Sequence, residues 1–115
     1  MSQSVKNQSI EYVANVMKTL GDQNRLYIFS LLSKHELCVC EITAISHLSQ
    51  SNVSQHLAKL KSAGLVKERR DAQWIYYSLN SQKNPVINEI IKLIPEPPEN
   101  IFPAASSGNH ATCKF

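Results

Sequence analysis

The chain has 115 residues, enough for one domain with a modest core. Hydrophobic residues at 43% and charged residues at 18% describe an ordinary globular chain. No run of about 18 apolar residues offers a membrane span, and residues 1–12 lack the apolar centre of a signal peptide. Three cysteines, two of them one residue apart, do not make a secreted disulfide framework; a cytoplasmic chain with reactive thiols is expected. The formal net charge of +3 is local rather than spread. Acids and bases cancel in residues 1–58 and again in 72–115, so the excess sits in Lys59, Lys61, Lys67, Arg69 and Arg70 against Glu68 and Asp71. A basic cluster on one short stretch is the footprint expected for phosphate contact.

In chain order, Ile10, Val13, Ala14, Met17 and Leu20 mark an amphipathic helix that Gly21 should close. Asp22 is placed to cap a second helix carrying Leu26, Phe29, Leu31 and Leu32. Cys38 and Cys40 head a short third helix with Ile42, Ile45 and Leu48 on its apolar side. After Ser49 and Gln50, Val53, Leu57 and Leu60 repeat at spacings of four and three, so a fourth helix follows across a tight turn. Its opposite face carries Ser51, Ser54, Gln55, Lys59 and Ser62, groups able to bond base edges and phosphates.

Gly64 ends that helix and the pattern changes to period two. Residues 65–69 and 74–79 are rich in branched and aromatic side chains and predict a β-hairpin with a charged tip at 70–73. Trp74, Tyr76 and Tyr77 are expected to pack the hairpin rather than stack on bases. A last helix is predicted with Asn84 as cap and Pro85 in its first turn, carrying apolar residues up to Ile94 on more than one face. The second apolar face asks for a partner, most simply another copy of the chain, with the first helix beside it. From Pro95 onward three prolines in four positions, followed by mostly small and polar residues, predict a flexible tail, so the domain is expected over 1–94 and the tail over 95–115.

Helix, helix, helix, turn, helix, hairpin, helix is the layout of a winged helix-turn-helix, mainly α with one hairpin, in which the fourth helix enters the major groove and the hairpin is the wing. Four segments carry a resemblance covering roughly residues 10–94. LGDQNRL at 20–26, ELCVCEI at 36–42, VSQHL at 53–57 and GLV at 64–66 resemble the ArsR/SmtB metal-sensing repressors. The resemblance implies a homodimer on an inverted-repeat double-stranded DNA operator, released when a metal or metalloid binds. The ELCVC segment implies the arsenite-, antimonite- and cadmium-responsive branch, with Cys38 and Cys40 as inducer ligands. The DNA-contacting set expected on this basis is Ser51, Asn52, Ser54, Gln55, His56, Lys59, Lys61, Arg69, Arg70 and Gln73. His56 also borders the apolar stripe, where packing is the simpler role, and His35 and His47 are expected at the surface.

Soft thiolates suit soft ions. A place near a helix N-terminus favours thiolate over thiol, yet side chains two apart on a regular helix diverge, so joint chelation is expected to unwind the first turn. Departures from the family pattern are informative. Residues 80–94 hold neither Asp nor His, which argues against a zinc site there; residues 1–37 hold no cysteine; Thr43 stands where some arsenite sensors carry a third cysteine; and Ala72 stands at the hairpin tip where glycine is common. The remaining thiol, Cys113, is the candidate third ligand, with water, hydroxide or a small thiol as the alternative. The same two thiols would also serve a sensor of cadmium, oxidants or reactive sulfur. No glycine-rich phosphate loop or hydrolase motif is present, and C-x-C is not the oxidoreductase spacing, so no enzyme is expected.

Overall fold

The computed structural model describes residues 9–103. Helix α1 (Ile10–Thr19) starts where Ser9 Oγ accepts from the Tyr12 amide at 3.0 Å and buries Val16, and Leu20, which closes it, is buried too. Ile10, 84% exposed, and Met17, 67% exposed, remain outside this packing. Asp22 caps α2 (Gln23–Leu32) as expected, its Oδ1 accepting from the Arg25 amide at 3.0 Å; this bond is the main reason its carboxyl lies below the usual range. Residues 28–32 are all buried, so α2 is the central helix rather than a one-sided one.

A two-residue strand, β1 (Leu37–Cys38), follows, which the local pattern does not announce. It leads directly into α3 (Val39–Ser46), which ends on His47 in the left-handed region at φ 62°. Ser49 then caps α4 (Gln50–Ser62), accepting from the Asn52 amide at 3.1 Å. Ile42 from α3 and Val53, Leu57 and Leu60 from α4 enter the core with Phe29 and Ile28. At the far end of α4 the Leu65 amide donates to Leu60 O and the Gly64 amide to Lys61 O, both at 2.9 Å. This double closure needs a left-handed residue, which Gly64 supplies at φ 78°.

The hairpin comprises β2 (Val66–Asp71) and β3 (Trp74–Leu79), longer than predicted at its first strand, with only Ala72 and Gln73 in the turn. The sheet order is β1-β3-β2, all antiparallel, with Cys38 opposite Tyr76 and Tyr76 opposite Arg69. The last helix, α5 (Pro85–Ile91), stops short of the expected Ile94. Asn84 precedes it but does not cap it. Its Nδ2 donates instead to Gly64 O at 3.3 Å and to the Tyr12 hydroxyl, tying the start of α5 to α1 and to the end of α4.

Beyond Ile94, the chain continues against the domain as far as residue 103. Glu96 pairs with Lys34, Glu99 Oε2 lies 2.6 Å from His35 Nε2, and Phe102 meets the His35 ring edge-on at 4.5 Å. Ile101 and Phe102 pack on the core. Residues 104–115 of the expected tail lie outside the described residues. Among the described residues no helix is long and apolar enough to cross a membrane.

Candidate thiol site and nucleic-acid interface

Cys38 closes β1 in extended conformation (φ −91°, ψ 169°) and occupies the cap position of α3, while Cys40 lies in its first turn. The expectation that two cysteines on one regular helix must diverge is therefore corrected. Cys38 is not helical, and the backbone change at the cap brings the two Sγ atoms to 3.8 Å with the first turn intact. Glu41 fixes this corner through a capping box: its Oε1 accepts from the Cys38 amide at 2.9 Å while its own amide faces the Cys38 sulfur.

The expected lowering of the thiol by the helix N-terminus is also overturned for Cys38. The residue is 2% exposed, and burial pushes its thiol above the ordinary value. The Glu41 carboxylate adds to the rise, and the Glu41 and Cys40 amides only oppose it. With metal–sulfur bonds of about 2.3 Å, as for zinc, a 3.8 Å sulfur separation corresponds to an angle of roughly 110° at a bound centre. That separation suits bidentate binding of a soft ion by the reduced pair. Thr43 is not available as a third donor in kind or in geometry, since its hydroxyl donates to Val39 O at 2.8 Å. Among the described residues no three metal-ligating side chains cluster, and Cys113 lies outside those residues.

The two cysteines belong to a small cluster of their own, with Tyr76 and the partly buried Trp74, separate from the main core. This cluster continues to the wing. The Arg69 guanidinium lies over the Tyr76 ring at 4.7 Å, and its Nη2 and Nε donate to the two carboxylate oxygens of Glu36 at 2.8 and 3.1 Å. Tyr77, one residue along β3, joins the main core instead and donates from its hydroxyl to Glu68 at 3.3 Å.

On α4, Ser51, Asn52, Ser54, Gln55, Lys59 and Lys61 are exposed, as are Arg69, Arg70 and Gln73 on the hairpin. His56 is only half-exposed and turned from that surface toward Asp22 and Arg25; its Nδ1 is buried without a hydrogen-bond partner among the described residues. Burial lowers its pKa, partly offset by the Asp22 carboxylate. The basic cluster is partly neutralised within the fold: Lys61 pairs with Glu68 at 3.2 Å and Arg69 with Glu36. Lys59, Lys67 and Arg70 take part in no ion pair among the described residues.

Sequence reasoning missed Glu41, Glu36 and Tyr76. Glu41 has a local signal, since an acid three residues after the first cysteine has capping-box spacing. Glu36 and Tyr76 acquire their roles only through the sheet register.

The family model described as "Bacterial regulatory protein, arsR family" matches residues 22–68, from the cap of α2 into the wing. The arsenic resistance transcriptional regulator ArsR1 of Pseudomonas putida is 40% identical over 78 residues, which cover 67% of this chain and 61% of that protein. The structure of HlyU from Vibrio cholerae aligns with a TM-score of 0.66 at 34% identity, covering 76% of this chain and 96% of its own. The homodimeric winged helix-turn-helix DNA-binding domain Mb0332 of Mycobacterium bovis gives a TM-score of 0.65 at 28% identity, covering 81% of this chain and 85% of its own. These relatives are regulators rather than enzymes, and with their fold, their helix-turn-helix and their wing all present in sequence order, the chain belongs to the ArsR family of winged helix-turn-helix transcriptional regulators.

Proposed function

We propose that the protein represses an arsenic resistance operon and leaves its operator when arsenite or antimonite binds Cys38 and Cys40. One observation carries the reading: the two sulfurs stand 3.8 Å apart at a corner shared by the sensing helix and the wing sheet. On one side, the corner is the cap of α3, which packs against α4. On the other, Cys38 pairs with β3, the central strand of the wing. A ligand that draws the sulfurs together therefore acts on both DNA-facing elements. This replaces unwinding of α3 as the route from ligand to operator.

The proton balance suits a neutral metalloid hydroxide. Arsenous acid exchanges hydroxide for thiolate, and each thiol proton leaves with a hydroxide as water, giving two As–S bonds and two waters. A buried, protonated Cys38 is no obstacle to that exchange. Cadmium must instead expel protons to solvent. An oxidant that joins the same two sulfurs is the remaining rival, favoured by their proximity alone.

Ser51, Asn52, Ser54 and Gln55 would read base edges from the first turns of α4, with Lys59, Lys61, Arg70 and Gln73 beside the backbone. The exposed apolar residues Ile10 and Met17 on α1 and Leu93 after α5 support a homodimer, as Mb0332 is, here on an inverted repeat. Cys113 is proposed as the third sulfur.

A gel-shift titration on the promoter upstream of the protein's own gene tests this, repeated with arsenite, antimonite, cadmium and peroxide. Release at low equivalents of arsenite, abolished in Cys38→Ser and Cys40→Ser variants that still bind DNA, supports the reading. Release by peroxide alone would assign the thiols to redox sensing, and no specific shift at all would remove the operator.

A further inference from the structure

The Lys61 flank of α4 faces the wing, where Glu68 meets Lys61. On the other flank only Lys59 has been given a place beside the DNA backbone. At 3.6 residues per turn, Ser51, Gln55 and Ser62 share the stripe opposite Val53, Leu57 and Leu60, with Ser54 and Lys61 to one side and Lys59 to the other. On the Lys59 side, α4 meets the end of α1 and the start of α2 around a cavity of about 300 Å³. Lys18, Arg25 and Lys59 line it, with Asn15, Thr19 and Ser62 supplying an amide and hydroxyls.

We infer that this pocket is a second DNA-backbone site, holding a phosphate on the side of the recognition helix away from the wing through Lys18, Arg25 and Lys59. The inference rests on the operator-binding reading and adds a contact to it. A helix seated in a major groove about 12 Å wide has a phosphate strand on each side of it. The wing accounts for one strand, and this pocket faces the other.

The lysines there are uncommitted, whereas Lys61 and Arg69 beside the wing are paired. No carboxylate lines the cavity, and among the described residues neither Lys18 nor Lys59 takes part in an ion pair. Lys61 and Arg69 must give up Glu68 and Glu36 before meeting a phosphate. Arg25 is already positioned, its Nη1 donating to Thr19 O at 2.8 Å, while its Nε is buried with no hydrogen-bond partner among the described residues. The nearby acid, Asp22, is occupied by the Arg25 amide at the cap of α2 and does not line the cavity. Lys18 lies in the last turn of α1, outside the basic cluster that charge counting picks out.

The test is the salt dependence of binding to operator and to an unrelated duplex, by fluorescence anisotropy, for the full chain, Lys18→Gln, Lys18→Gln/Lys59→Gln and the remote control Lys92→Gln. Removing one phosphate-binding cation should make log K against log salt shallower by about 0.9. Lys18→Gln should flatten it on both duplexes, the double variant at least as much, and Lys92→Gln not at all. A double variant with the wild-type slope overturns the inference while leaving operator binding standing. So does a wild-type slope accompanied by inorganic phosphate shifting the Lys18 and Lys59 resonances, which would assign the pocket to a free anion. If the unaltered chain binds neither duplex, the operator-binding reading falls and the inference falls with it.

Discussion

Arg69 lies over the ring of Tyr76 at 4.7 Å, and Tyr76 is in turn paired across the sheet with Cys38. One row of three strands thus runs from the thiol corner to the wing: Cys38, Tyr76, Arg69. A cation over an aromatic ring at an exposed site contributes little, and so does an exposed ion pair such as Arg69–Glu36. Interactions of this size shift an equilibrium without fixing the fold.

Tyr76→Leu keeps the apolar contact with Cys38 but removes the ring under Arg69. Operator affinity should change by less than ~10-fold, equivalent to about 1.4 kcal/mol, whereas the arsenite needed for half-release should rise several-fold. Trp74, the single tryptophan of the chain, packs against the same cluster, so its fluorescence reports arsenite binding separately from release. Unchanged release in a variant with unchanged binding would mean that the signal passes through α3 and α4 alone.

The two wing arginines should behave differently. Arg70 is exposed and in no ion pair among the described residues, while Arg69 is held by Glu36 and Tyr76. Arg70→Ala should flatten the salt slope by about 0.9, the value for a single phosphate, and Arg69→Ala by clearly less. Equal flattening in both would show that Glu36 yields Arg69 to the DNA backbone at no cost.

The helices were legible because apolar spacing and caps are local: Asp22, Ser49 and Gly64 do what their residue types and positions announce. The thiol corner was not, for two reasons. Cysteine is a rare cap, so apolar spacing alone starts α3 one residue too early, and at a helix boundary one residue decides whether two sulfurs diverge or meet. The strand β1 has only two residues and exists because β3, far along the chain, pairs with it. Charge counting locates the basic stretch but not which of its members are neutralised, since Glu36 reaches Arg69 only in the folded sheet. Lys18 escapes for the same reason, being brought to α4 by the packing of α1.

Ala72 sits at the first of two turn positions with φ 57°, where glycine is favoured. Left-handed backbone costs an L-residue roughly 1–2 kcal/mol, and the greater freedom of glycine in the unfolded chain returns about 0.5–1 of that. Ala72→Gly should therefore stabilise the domain slightly, raising the melting temperature by ~2–4 °C, and Ala72→Val should lower it. A drop with glycine would contradict the strained turn.

His56 supplies a pH dependence. Burial holds its folded pKa below the ordinary value of 6.5, so the unfolded chain takes up the proton first as pH falls. Stability from this residue is full above that value and declines as pH drops through it toward the folded pKa. His56→Gln should reduce the fall in the urea midpoint between pH 7.5 and 5.5. The Asp22 carboxyl, held low by the Arg25 amide, loses its contribution only at more acid pH and does not mask the effect. An identical midpoint profile in the variant would place the histidine in solvent.

Proton accounting at the thiol corner separates arsenite from cadmium. Cys38 is held as a thiol at neutral pH by burial, with the Glu41 carboxylate adding to it. Arsenous acid, neutral in this range, carries away each thiol proton as water, so its apparent affinity should be nearly flat from pH 6 to 8. Cadmium must expel the Cys38 proton to solvent, so its affinity should climb by about one log unit or more for each pH unit. Titration of Trp74 fluorescence with each ion at three pH values measures both slopes on the same protein. A cadmium slope near one would mean that one thiol is already ionised before binding. An arsenite affinity that rises as steeply as that of cadmium would rule out exchange of hydroxide for thiol at Cys38 and Cys40, and with it the chemical basis for preferring the metalloid.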